Sequence, residues 1–380
     1  MNRPTTIEVI NPDGGAIESF TLLPDGRRAL VLLDFATLAL LDLVDGRVVW
    51  MSGADELYPA EFQPPAPLGP DRAVVLGVEG PDPEFELPAA PFVVDLASGE
   101  RLGPAVPSPP SVCKIAAHPD GRRLFVGHRD GNVALWDLAT RQQCGGWRAH
   151  RAPIRHLCVT PDGARLVTNA DDEALVCWDL ESSLCLGYHS PGGGEYVTVG
   201  DGEVLTIPYQ NIVSGLALAP SGAWLTAFVG DESPLSPTLF SLPSLVPQTA
   251  LPHTYAPAVF LPDGRLLLQR RGRYMSTPDA DPRNGLLVWD PDHARPVADL
   301  PGPTHALFTA IAAHPDGRRV FTAAETIERW DLESAELAEL VGPDVVSAGH
   351  GARRLLVTPD GARLIAVYRH RVDCIPLDAA

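Results

Sequence analysis

The stretch RAHRAPIRHLCVTPDGARLVTNADDEALVCWDL, Arg148 to Leu180, decides the fold. Its apolar residues fall in short β-rich runs: IRHLCV (154–159), RLVTNA (165–170) and LVCWDL (175–180). Between the first two stands Thr160-Pro161-Asp162-Gly163. Pro presets φ at the second turn position, Asp bonds local backbone, and Gly accepts positive φ, so this is a tight turn. Between the second and third runs, Asp171-Asp172-Glu173 is a polar break. Short strands joined by tight turns are the expectation.

The same pattern recurs along the chain. Its prolines are Pro24, Pro70, Pro119, Pro161, Pro220, Pro262, Pro315 and Pro359, spaced 42 to 59 residues apart. Each turn is followed by a β-rich run such as RALVLL, RLFVG or RLIAV. A third apolar run then ends in Asp-Leu or a relative, as at Asp42, Asp95, Asp137, Asp179, Asp290 and Asp331. A polar turn and a further run follow, as in VDGRVVW. The unit is four strands, and it cannot bury both faces alone. Packing such units around an axis solves this, and predicts an all-β, single closed β-propeller of four-stranded blades. The count is eight, or seven if the second unit is an insertion. The blades fall at 17–50, 65–107, 111–150, 151–189, 211–252, 255–301, 305–343 and 350–380. The longest interval, Pro161 to Pro220, contains EYVTVGDGEVLTIPY, which reads as an extra hairpin around Gly200-Asp201-Gly202.

Arg148 to Leu180 resembles a WD repeat. The resemblance implies a structural hydrogen-bond tetrad of His150, Thr168, Asp172 and Trp178. The third unit keeps Asp130 and Trp136 but has Val126 at the hydroxyl position; the sixth and seventh keep Trp289 and Trp330. The family closes its ring with an N-terminal strand, which implies that residues 5–11 complete the last blade. ALLDLVDGRVVW (39–50) also resembles quinone-dependent dehydrogenase propellers, and PDGRRLFV resembles lactonase-like ones. Neither brings a catalytic constellation that can be placed here.

Acidic side chains number 48 and basic ones 29, a net charge of −19. That balance argues against a nucleic-acid backbone or an anionic membrane as partner. Lys114 is the single lysine, and 39 Pro and 34 Gly accompany it, a bacterial-like bias of composition. MNRPTTIEVINPDGG has no apolar leader core, so a cytoplasmic protein is expected. The six cysteines show no CxxC spacing and read as buried free thiols.

No motif reads as catalytic or metal-binding, and no cofactor is expected. His118 and His314 (HPD) read as decorated turns, and Asp290, Asp292 and His293 as a hairpin turn. Arginines after the turns, such as Arg27, Arg122 and Arg318, read as pairing with turn aspartates such as Asp25 and Asp120. Long segments occur only at the second-to-third and fourth-to-first connections: 51–65, 79–91, 189–210, 231–237 and 270–284. In a propeller these share one face, and loops are where a rigid scaffold carries function. The partner-binding candidates follow: Tyr58, Phe62, Glu79, Asp82, Glu84, Phe85 and Glu86 near blades 1 and 2, and Arg270, Arg271, Arg273 and Tyr274 near blade 6. Exposed aromatics among carboxylates fit a protein contact, as do arginines beside a tyrosine. The expected function is a non-enzymatic scaffold or adaptor for another protein, monomeric on its own within a hetero-complex. A propeller enzyme working on a small molecule in the central channel is the alternative. CKIAA, LALA and AIAA on first strands favour the scaffold, because they are mostly small and apolar.

Overall fold

The computed structural model describes residues 4–9, 15–33, 37–52, 58–59, 64–78, 89–107, 111–190, 195–199, 203–207, 213–229, 236–248, 251, 254–270, 285–301, 308–324, 326–334, 336–340 and 351–377. Among these, every regular element is a strand. Eight four-stranded blades form a propeller ring. Blade 4 shows the plan: Ile154–Val159, Arg165–Ala170, Leu175–Asp179 and Cys185–His189 pair antiparallel in that order.

Blade 2 is a true blade and not an insertion, but an irregular one. Its first strand is split into Tyr58–Pro59 and Ala66–Pro67, both paired with Arg72–Val78. Pro cannot donate to a ladder, so Pro59 and Pro67 suit strand ends. The Glu195–Val199 and Glu203–Ile207 strands pair as the extra hairpin, with Val197 opposite Leu205.

The ring closes through Thr5–Glu8, which pairs with Arg371–Pro376 of blade 8. Ile7 and Val9 are buried there, and Thr6 Oγ1 donates to the buried Asp373 carboxylate at 2.8 Å. Closure gives blade 8 its fourth strand, so the last blade is as complete as the others.

Middle strands are apolar on both faces because a neighbouring blade covers each face. Thr37–Asp42 is buried throughout. The core is a set of seams between blades. Val167, Leu175 and Cys177 of blade 4 pack on Leu225, Ala227 and Phe240 of blade 5. On its other face, Ile154, Leu166 and Ala170 pack on Cys113, Phe125 and Val133 of blade 3.

All six cysteines are free. Cys113, Cys177 and Cys374 are buried as expected, but Cys144 and Cys185 are exposed. Both lie on outermost strands, where one side of the blade meets water. Burial pushes the Cys374 thiol up to about 12.

Candidate functional site

The two faces of the ring are built differently. On one, the Pro-Asp-Gly turns join first and second strands. Their aspartates accept local amides, as Asp120 Oδ1 does from Arg122 and Arg123. Several of their arginines are engaged: Arg123 with Asp120, Arg122 with Asp137, Arg318 with Asp331, all at 2.6–2.7 Å. The buried His118 and His314 bridge neighbouring turns. His118 Nε2 donates to Gly163 O at 2.9 Å, and His314 Nε2 to Gly361 O at 3.0 Å. Gly163 and Gly361 adopt φ of +69°, and a Cβ on either would lie 2.6 Å from the histidine ring. The HPD histidines are thus parts of a stacked ring of turns.

The Asp290 turn is likewise local. His293 Nδ1 lies 2.7 Å from Asp290 Oδ2, and Asp292 accepts from Trp224 Nε1 at 2.8 Å. Among the described residues, no three His, Cys, Asp or Glu side chains gather as a metal cage.

The opposite face carries the long connections, and blades 3 and 4 show its chemistry. Trp178 Nε1 donates to Thr168 Oγ1 at 3.0 Å, and the hydroxyl donates to His150 Nε2 at 2.7 Å. His150 Nδ1 donates in turn to Asp172 Oδ1 at 2.9 Å. Asp172 also accepts the Arg151 and Ala174 amides. Every polar group in this chain has a partner, which is what burial requires. The network ties the third strand of blade 4 to the connection entering that blade. Burial depresses the His150 pKa below its ordinary 6.5, with Asp172 opposing. The WD40 family (WD domain, G-beta repeat) matches two stretches, residues 107–137 and 141–179.

The chain is an eight-bladed β-propeller with WD repeats matched at blades 3 and 4.

A comparison with curated proteins finds no match. The WD repeats diverge around the ring. In blade 3, Val126 leaves Trp136 Nε1 buried without a partner. Blade 7 keeps more than the sequence reading gave it: Trp330 Nε1 donates to Thr322 Oγ1 at 2.9 Å, and that hydroxyl faces the buried Glu328 at 3.4 Å. Burial raises the Glu328 pKa. In blade 6, Trp289 Nε1 donates to Gln248 Oε1 at 2.7 Å, a residue beyond the fourth strand of blade 5. No spacing rule within one repeat would find that partner.

Beside the tetrad, a groove of about 930 Å³ opens between blades 3 and 4. Arg148, His150, Arg151, Asp172 and Tyr188 line it. A smaller depression of about 350 Å³ shares Arg148 and adds His128, Asp130 and Trp147. Sequence reasoning did not single out Arg148, Arg151 or Tyr188. The proximity of Arg148 and Arg151 to His150 was the available signal.

Phe62, Glu79, Asp82, Glu84, Phe85, Glu86, Arg271, Arg273 and Tyr274 lie outside the described residues. Tyr58 is placed by its backbone alone, opposite Val78. Arg270 ends the second strand of blade 6, and its Nε sits 2.7 Å from Asp299 on the outer strand of the same blade. Its charge is therefore used within the blade.

Proposed function

We propose that this WD-repeat propeller is a non-enzymatic, cytoplasmic scaffold that binds a partner protein through the face carrying the long connections. One contrast carries the reading. The turn face uses many of its own arginines and its HPD histidines within itself, as with Arg122–Asp137 and His118–Gly163. The other face leaves Arg148, Arg151 and Tyr188 exposed around a groove. Arg and Tyr are enriched at binding hot spots, since each offers large contact area with directional hydrogen bonding. Propellers built of WD repeats commonly serve as interaction scaffolds, which fits. The partner is expected to be a protein and not a nucleic acid, given the net charge of −19.

The test is stoichiometric capture. The full chain is used as bait in its host, and variants are made with segments 51–65, 79–91, 231–237 or 270–284 shortened one at a time. The reading expects one defined protein, held less tightly by at least one variant that melts like the parent. Capture that no shortening alters, or no capture by folded bait, overturns it.

A further inference from the structure

We propose that the groove between the outer strands of blades 3 and 4 takes an extended acidic segment of a partner protein. Its carboxylates would pair with Arg148 and Arg151, and its apolar side chains would lie along Tyr188 and the neighbouring Leu186. The inference rests on the scaffold reading and names its ligand chemistry.

Charge is the first argument. In a chain of net charge −19, many arginines have carboxylates to hand. Arg27, Arg122, Arg155 and Arg318 all pair at 3.5 Å or less. Arg148 and Arg151 are exposed and pair with no carboxylate among the described residues; Arg148 Nε reaches the His150 carbonyl at 3.3 Å. The carboxylates around them are committed. Asp172 holds His150 and two amides, Asp171 holds Arg155, and Asp130 holds Asn132. Two guanidinium forks without carboxylate partners, at the rim of one groove, match two carboxylates.

The second argument is apolar. Leu184, Leu186 and Tyr188 are 64, 41 and 62% exposed, three of the seven large exposed hydrophobics among the described residues. Tyr188 lines the groove, and Leu186 precedes it on the outer strand of blade 4, across a register shift. Some outer strands carry edge-protecting residues, such as Pro104 in blade 2 and Pro247 in blade 5. Cys185–His189 carries neither proline nor carboxylate nor lysine.

A phosphate ligand fits less well. Phosphate recognition draws on free backbone amides, and the local ones are taken. The His150 and Ala149 amides donate to Gly131 O, and the Arg151 and Ala174 amides to Asp172.

The experiment uses the full chain and fluorescently labelled peptides of about twelve residues. The probe has Asp-Asp-Glu followed by Leu and Ser in alternation; its controls replace the acidic residues by Lys, or the first by phosphoserine with the rest neutral. Anisotropy should show saturable binding of the acidic probe. That binding should weaken about tenfold or more with Arg148→Glu/Arg151→Glu, and markedly between about 50 and 300 mM salt. Tyr188→Ala with Leu186→Ser should weaken it several-fold. All these side chains are exposed, and a thermal melt confirms folding. Equal binding of the Lys peptide, wild-type affinity in Arg148→Glu/Arg151→Glu, preference for the phosphopeptide, or no binding would each overturn the inference. A partner still captured at full strength by Arg148→Glu/Arg151→Glu would remove this groove and leave the scaffold reading standing.

Discussion

Blades 3 and 4 hold the same indole in the same register, and its polar end meets opposite fates. Trp136 lies opposite Leu124, and Trp178 opposite Leu166. Two residues further along the second strand stands Val126 in one blade and Thr168 in the other. Trp178 is satisfied through a four-residue network, while Trp136 Nε1 is buried and unpaired. Both blades nevertheless pack their apolar seams fully, with Phe125 and Val126 at 0% exposure and Leu166 and Val167 the same. The lesson is that apolar seams and ring closure hold the propeller. The tetrad is a local lock, and it stands where the connection beside the groove has to be fixed.

The hardest way to break that comparison is Thr168→Val, which makes blade 4 resemble blade 3. The shape is kept, but Trp178 Nε1 and His150 Nε2 both lose their partner. At ~1–3 kcal/mol for each orphaned buried group, roughly 2–5 kcal/mol of stability should go, read from the shift of a urea midpoint. A shift below about 0.5 kcal/mol would mean that the network does not lock the blade.

Acid tests the same network from another side. Burial depresses His150 below 6.5, and His128 of blade 3 likewise. A histidine with a depressed folded-state pKa favours folding above its unfolded value. That contribution is lost as pH falls from about 6.5 toward the folded value, because the unfolded chain takes up the proton first. Stability should therefore be flat above pH about 7 and decline below about 6.5. His150→Asn should flatten part of the decline. Denaturation series at several pH values check this, and an unchanged slope in the variant would rule His150 out.

Blade 3 and blade 4 also mark what a sequence can tell. The Pro-Asp-Gly turns carry their own mechanism in four adjacent residues, so the blade count, the hairpin at 195–207 and the order of strands could be read directly. His150, Thr168, Asp172 and Trp178 came through resemblance, since their chemistry spans 28 residues of one repeat. What could not be read depends on neighbours in space. Gln248 reaches Trp289 from another blade, and Glu328 takes the place of a histidine beside Thr322. Arg148 and Arg151 stand out because Asp172, Asp171 and Asp130 are spoken for, and only folded geometry reveals which charges are already paired.

Val126→Thr sharpens the comparison from the opposite direction. A hydroxyl there would stand where Thr168 stands in blade 4 and could accept from Trp136 Nε1. Burying a hydroxyl costs free energy unless it is bonded. With the indole as partner, the change should be neutral or stabilising by up to ~1 kcal/mol. The control is Val167→Thr, on the opposite face of blade 4 among Leu225 and Phe240, where no donor waits. That change should cost ~1–3 kcal/mol. Equal costs for the two variants would show that the orphaned indole is not available to a new partner.

The smallest effect lies on the turn face, where blade 3 has Arg122 and blade 4 has Ala164 at the same turn position. Arg122 grips Asp137 with Nε and Nη2, at 2.8 and 2.6 Å, and this pair holds the Asp137 carboxyl below the usual carboxylate range. The geometry is good, but both groups face water, where Coulomb attraction is screened and two side chains lose freedom to meet. Blade 4 shows what the turn does without the arginine. Asp179 still accepts the Ser182 amide and hydroxyl, and the strands still pair. Asp137 has the same kind of local support from the Ala139 and Thr140 amides. Arg122→Ala should therefore leave the thermal midpoint within measurement error. Any shift it does produce should vanish as salt rises past the point where the screening length falls below the separation of surface charges. A large, salt-independent loss would show that the arginines of this face support the stacked turns themselves, and not only their own aspartates.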